Sequence, residues 1–250
     1  MHVSDKAIKF RTDQLKRTLG LKAWELMAIL GLVSLAIILA LPSGPVSREP
    51  HPQQQCKFRF KQIGHALHNY AEVYGGFPPA YTTDENGNPL HSWRTLLLPY
   101  LDQQGLYERI DFSKPWDDPA NAEALAMDIP AFQCPVAGVA TNRTTYLAFV
   151  GEDLAFYPTR SRRLEEFSDG LTNTAVVVEV RPEDAIPWMQ PNDVDATFLK
   201  RLRQSPKFSH RNGTHVLMGD GDVRFVDLNL DQKDATALST IAGGEDVGDF

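Results

Sequence analysis

The chain has 250 residues and a formal net charge of −7, with 25 Lys and Arg against 32 Asp and Glu. That acidic balance argues against a nucleic-acid partner. The composition is that of a globular protein, with no internal repeat or low-complexity tract, so solenoid and purely disordered architectures are set aside. The charge is unevenly placed. Lys6, Lys9, Arg11, Lys16 and Arg17 precede the apolar run 21–41, and Lys22 lies at its edge; the residues after it hold 19 Lys and Arg against 29 Asp and Glu. The run reads LKAWELMAILGLVSLAIILAL and is apolar except for Lys22, Glu25 and Ser34. As a helix it would span about 31 Å, one bilayer core. A soluble domain does not readily bury a helix that is apolar all round. The expectation is a single-pass protein of the cell (inner) membrane, in contact with the lipid bilayer. Residues 1–20 form a basic cytoplasmic leader, 21–41 a transmembrane helix, and the C-terminal domain lies outside the cytoplasm. An uncleaved secretory signal is the alternative; the length of the run and the lack of a small-x-small site after it weigh against that.

Glu25 sits inside this run. In the plainer reading it is an interfacial charge sharing a helix face with Lys22. The spacing offers a second reading. Basic residues, then Gly20, then a Glu five residues on, then an unbroken apolar helix, is a pattern that resembles the type IV prepilin signal. The resemblance implies processing after Gly20 and a role for Glu25 in membrane registration. It also implies partners among like subunits or pilus and secretion-system proteins. Leu21, Lys22, Ala23 and Trp24 depart from the usual prepilin sequence at these positions.

Residues 42–55, PSGPVSREPHPQQQ, carry four prolines and are read as an extended linker. Residues 56–250 suit one exterior domain. Phe60, Ile63, Leu67, Tyr70 and Tyr74 recur at helical spacing, which predicts an amphipathic helix over 57–74 closed by Gly75-Gly76. Residues 92–108 predict a second helix, capped by Ser92 and disturbed at Pro99. Two β-branched runs, 146–150 and 174–180, predict strands. Residues 207–226 predict a three-stranded antiparallel meander with type I′ turns at Asn212-Gly213 and Asp220-Gly221. Asp231 caps a last helix expected over 232–242 and stopped by Gly243-Gly244. The expected fold class is α+β, a tethered domain with an amphipathic helix packed on antiparallel sheet.

His210, nine residues, then Asp220-Gly221 resembles the C-terminal signature of a planctomycete family carrying domain of unknown function 1559, usually behind a prepilin-type N-terminus. The likeness runs through KFRFKQIGHALHNY after Cys56, residues 75–79, SWRTLLLPYLDQQGLY, PWDDPAN at 115–121 and QCP at 133–135. It continues in FSDGLTNTAVVVE at 167–179, IPWMQP at 186–191 and GGEDVGDF at 243–250. It implies a pilin-like α+β protein and supplies no reaction.

Chemistry is less legible. His210 and Asp220 flank turns and invite an Asp–His dyad, but no nucleophile context accompanies them. Asp-Gly is also an ordinary turn dipeptide, so His210, Asp220 and Gly221 are read as structural. Asp227, Asn229 and Asp231 alternate like calcium ligands but lack an EF-hand frame. His65, His68, His210 and His215 lack zinc-motif spacing. Trp93, Trp116 and Trp188 suit either a ligand groove or a set of core staples. No catalytic residue, metal or cofactor is assigned. Cys56 and Cys134 are the two cysteines; an oxidising compartment favours a disulfide between them, and two separate buried thiols are the alternative. The favoured function is a non-enzymatic membrane-anchored pilin-like or pseudopilin-like protein of surface display, secretion or assembly. An anchored extracytoplasmic ligand-binding module is the second reading, and an enzyme the third.

Overall fold

The computed structural model describes residues 22–40, 52–204 and 207–244. They fall into two compact units divided near residue 49. Of the N-terminal unit, helix α1 (Ala23–Ala40) is described. Its first turn is held by the Glu25 carboxylate, whose Oε2 accepts the Lys22 backbone N–H at 2.8 Å. That return bond to a capping position gives Glu25 a helix-starting role. Trp24, Met27, Ile29, Leu30, Leu32, Val33 and Leu35 are all exposed. Among the described residues no helix is long and apolar enough to cross a membrane. The expected span 21–41 runs beyond them at both ends, and Gly20, with the prolines at 42, 45 and 50, lies outside them.

The C-terminal unit opens with α2 (Pro52–Tyr74), which starts five residues earlier than expected, inside the segment read as linker. Proline is tolerated in a first helical turn, where its missing N–H has no partner to lose. The chain continues through β1 (Tyr81–Thr83) and β2 (Pro89–Ser92), then the short helices α3 (Trp93–Leu96), α4 (Gln104–Tyr107) and α5 (Ala122–Leu125). The single helix expected over 92–108 is therefore broken. Ser92 caps α3 by accepting the Arg94 N–H, Pro99 diverts the chain into a 3₁₀ turn over Leu98–Leu101, and Asp102 turns left-handed at φ 58°. Next come β3 (Arg143–Thr144), β4 (Tyr146–Ala148), β5 (Ala175–Glu179), β6 (Ile186–Pro187), β7 (Gly213–Met218), β8 (Val223–Asp227) and α6 (Gln232–Ser239). Asp231 caps α6 as expected, its Oδ1 accepting the Asp234 N–H at 2.8 Å, but the helix ends three residues early as Thr240 turns extended.

The main sheet is antiparallel, in the order β4-β5-β7-β8. Its central strands β5 and β7 are buried along their whole length because both faces are covered. Phe60, Ile63 and Leu67 of α2 pack on the face carrying Leu217 and Val223. Leu199, Leu202, Ala235 and Leu238 cover the face carrying Val178, Val216, Met218 and Val226. Each of these large apolar side chains contributes about 1.5–3 kcal/mol on burial. This is the α+β arrangement expected, with one difference. The meander is a two-stranded hairpin, β7-β8, and before Asn212 only a single bridge, His210 to Gly213, replaces the third strand. The neighbour of β7 is β5 instead.

Neither turn is type I′, which needs two residues with positive φ. At the first only Asn212 has positive φ, and at the second only Gly221 does (88°). The Gly221 N–H closes a turn on the Met218 carbonyl at 3.0 Å, a three-residue connection with a left-handed glycine at its end. The first turn needs Gly213 for space, since a Cβ there would lie 2.3 Å from the Val226 carbonyl oxygen.

Two charged knots fix the loops around this frame. Arg94 is fully buried and uses all five of its N–H donors. They reach the carbonyls of Trp188 (2.8 Å), Tyr146 (3.2 Å), Gln190 (2.8 Å) and Asn192 (3.3 Å), and Asp193 Oδ1 (2.9 Å). The Trp93 indole donates to the same carboxylate oxygen at 3.0 Å. Arg94→Ala is expected to cost about 3–5 kcal/mol, because it strands a buried carboxylate. Arg94→Lys will recover little of that, having no planar fork. Urea unfolding of the full chain in detergent measures both, and a loss under about 1 kcal/mol for the alanine variant contradicts the assignment.

The second knot is Glu166, gripped by Arg160 at 3.0 Å through both oxygens and by Arg162 at 2.7 Å. The Arg160 hydrogen bonds lead in holding its carboxyl down to about 2, below the usual carboxylate range. The folded pKa is depressed, so the contribution is present above the unfolded pKa and is lost as pH falls through the folded value. The stability gap between wild type and Glu166→Gln is therefore expected to close between about pH 4.5 and pH 2. A gap that stays constant across that window in acid titrations of unfolding rules out the pairing.

Candidate functional site

Where α2, β5 and β7 converge, four chemistry-bearing side chains meet in the core. Cys56 comes from the first turns of α2, Cys134 from the loop after the 3₁₀ turn Pro130–Phe132, Glu179 from the last residue of β5, and His210 from the bridge before β7. All four are buried, at 0%, 3%, 1% and 3% exposure. One ligand atom from each lies within 4.8 Å of all the others. His210 Nε2 is 3.0 Å from Glu179 Oε2 and 3.6 Å from Cys134 Sγ. His215, on β7, packs edge-on against His210 with ring centroids 4.4 Å apart, and places Nδ1 3.8 Å from the same Glu179 oxygen. Glu179 Oε1 is buried with no hydrogen-bond donor among the described residues. Phe60 of α2 lies tilted against Tyr146, ring centroids 4.3 Å apart.

The electrostatics follow from mutual support. Burial opposes ionisation of Glu179, but His210 and His215 outweigh it and hold the carboxyl at about 2. Burial likewise opposes the charge on His210, and its contacts with Cys56 and Glu179 raise it to about 9. The Cys134 thiol beside Cys56 brings Cys56 down to about 6 and is itself pushed up. A thiolate, an imidazole and a carboxylate in contact have the composition of a nucleophile, its base and an orienting acid. All of its members are buried at 3% exposure or less. A cleft of about 390 Å³ lined by Leu147, Val180, Arg181, Phe198 and Phe208 shares no residue with the cluster.

The structure separates several residues that the sequence invites one to combine. His210 and Asp220 lie at opposite ends of β7, whose six residues extend about 20 Å, so they form no dyad. Asp220 is a turn residue: its Oδ1 accepts the Asp222 N–H at 2.9 Å. Gly221 presents its Cα to Gly64 of α2, where a Cβ would come within 3.2 Å, and the Gly219 carbonyl meets His68 Nε2 at 2.9 Å. The hairpin tip is thus seated on α2. Asp227 and Asp231 accept nearby backbone N–H groups, as turn and cap residues do. Trp93 and Trp188 flank Phe132 and are buried in the core. Cys56 and Cys134 are brought together, their sulfurs within 4.8 Å of each other and unbonded.

Glu179 is the member that sequence reasoning passed over. The signal was present: an acid closing the β-branched run 174–178 must either face solvent or be matched. The structural role read for His210 has a specific partner, Glu179, 31 residues away in the chain.

His210→Ala is expected to destabilise the protein by about 3 kcal/mol, since Glu179 is left buried without its main partner. His68→Ala removes one hydrogen bond and is expected to cost about 1 kcal/mol. Equal effects in parallel denaturant melts contradict the assignment of a buried ionic role to His210.

Residues 48–149 match the model of a family described as a protein of unknown function (DUF1559). No curated protein and no solved structure matches the chain. The matched segment carries Cys56 and Cys134; Glu179 and His210 lie beyond it.

Proposed function

We propose that the chain is a membrane-anchored, extracytoplasmic pilin-like protein, non-catalytic, that displays its C-terminal domain or assembles it with like subunits or secretion-system proteins. The observation that carries this reading is α1: every side chain described between residues 27 and 35 is exposed, and seven large apolar ones lie among the exposed residues of the helix. Such a surface calls for a nonpolar solvent or a partner. In the sequence the apolar run extends past the described part of α1 at both ends, to 21 and 41. Basic residues before it orient its N-terminus to the cytoplasm.

The pilin-like part rests on the placing of one long helix, α2, across an antiparallel sheet. It also rests on the Gly20–Glu25 spacing and on the resemblance of the C-terminal half to the same family through His210, Asp220 and Gly221. The ligand-binding alternative is less well supported, because two of the three tryptophans offered for a groove are core residues.

Protease added to intact spheroplasts is expected to remove residues 52–250 and leave a membrane-embedded N-terminal fragment. Mass spectrometry of that fragment reads processing after Gly20. Full protection of the C-terminal domain, or its release from membranes by salt alone, contradicts the anchored topology.

A further inference from the structure

A cluster of two sulfurs, one imidazole and one carboxylate, sealed from solvent and drawn from four chain segments, is an expensive arrangement for a core. Any apolar set of similar volume would pack there without desolvating a charge. The arrangement gains a purpose if the groups share a cation. We propose that Cys56, Cys134, Glu179 and His210 form a closed structural site for a zinc-class divalent cation.

Four observations carry the assignment. The donor set, S₂NO, is one that a borderline-soft cation accepts and that hard calcium or magnesium does not. The spacing is close to what is needed: at about 2.3 Å to sulfur and about 2.0 Å to nitrogen or oxygen, the edges of a tetrahedron are about 3.5 Å for S···N and about 3.3 Å for N···O. The structure has 3.6 Å for Cys134–His210 and 3.0 Å for His210–Glu179. Glu179 Oε1 is buried without a hydrogen bond, so that carboxylate has unspent donor capacity. His215 packs edge-on against His210 with its Nδ1 3.8 Å from Glu179 Oε2, the position from which a second-shell group supports ligands. All four positions are filled by protein, which leaves none for substrate and makes the site structural. Cation entry displaces to solvent the remaining thiol proton and the proton on His210 Nε2, the atom that faces Glu179 and Cys134. The inference is independent of the membrane anchor.

The test uses the full chain in detergent, purified without chelator, then stripped and reloaded with cobalt(II) under a non-thiol reductant. The expected result is one cobalt per chain with a tetrahedral visible spectrum and a thiolate-to-cobalt charge-transfer band, both abolished by one equivalent of zinc. Cys134→Ser is expected to lose the charge-transfer intensity and to weaken binding by more than about 100-fold, beyond the loss of a second-shell group. His215→Ala is expected to weaken binding by about 10–100-fold with the spectrum unchanged in form. Asp220→Asn, at the far end of β7, leaves both affinity and spectrum as in wild type. Should the ligand variants unfold, the wild-type chain still decides the matter. Without reductant, denatured protein either yields two reactive thiols and one equivalent of zinc, or no thiols and no metal. The second result shows a Cys56–Cys134 disulfide in place of the site and overturns the proposal. Folded, reduced wild type that takes up no cobalt, or takes it up without sulfur ligation, overturns it as well.

Discussion

A carboxylate buried at the end of a central strand must be matched, and Glu179 takes its matching groups from three other parts of the chain. Its partners arrive from the start of α2, from the loop after residue 132, and from the approach to β7. Each segment is thereby fixed to the same point of the sheet. The apolar contacts of Phe60, Ile63 and Leu67 are strong but non-directional, and they allow α2 to slide along the sheet. The polar cluster at one end and the Gly64–Gly221 approach at the other set the position of the helix on the sheet. A hydrogen-bonded ionic cluster specifies one arrangement where apolar packing tolerates several.

The same logic explains the two arginine knots. Loops with little regular structure cannot satisfy their own carbonyls, and buried carbonyls need donors. Arg94 supplies five to the segment containing residues 188–193 and to Tyr146. Arg160 and Arg162 close around Glu166 and hold the chain that Gly76 and Phe77 approach. In this domain much of the connecting chain between short strands is fastened by side chains acting as surrogate secondary structure.

What could be read from the sequence follows from this division of labour. Local patterns carried α2, β5, the β7-β8 hairpin and the Asp231 cap, because periodicity, β-branching and capping chemistry act within a few residues. The start of α2 at Pro52 was hidden by the proline count, and Pro99 and the left-handed Asp102 cut the expected second helix into short turns. The third strand of the meander failed because β7 found a better neighbour in β5, a choice made by tertiary burial. The cluster was least legible of all. Its cysteines were noticed as a pair, and His210 as part of a signature, but the link between them is Glu179, and no spacing rule reaches across four segments. The dyad of His210 and Asp220 looked plausible in one dimension and is excluded by the length of one strand.

Native-state hydrogen exchange tests most directly the claim that the Glu179 cluster fastens α2 to the sheet. The account predicts that amides of residues 56–67 in α2 and 176–179 in β5 exchange through one shared opening, and that Glu179→Gln lowers their protection together. Helix amides that open separately from β5, with protection unmoved by that substitution, would contradict it.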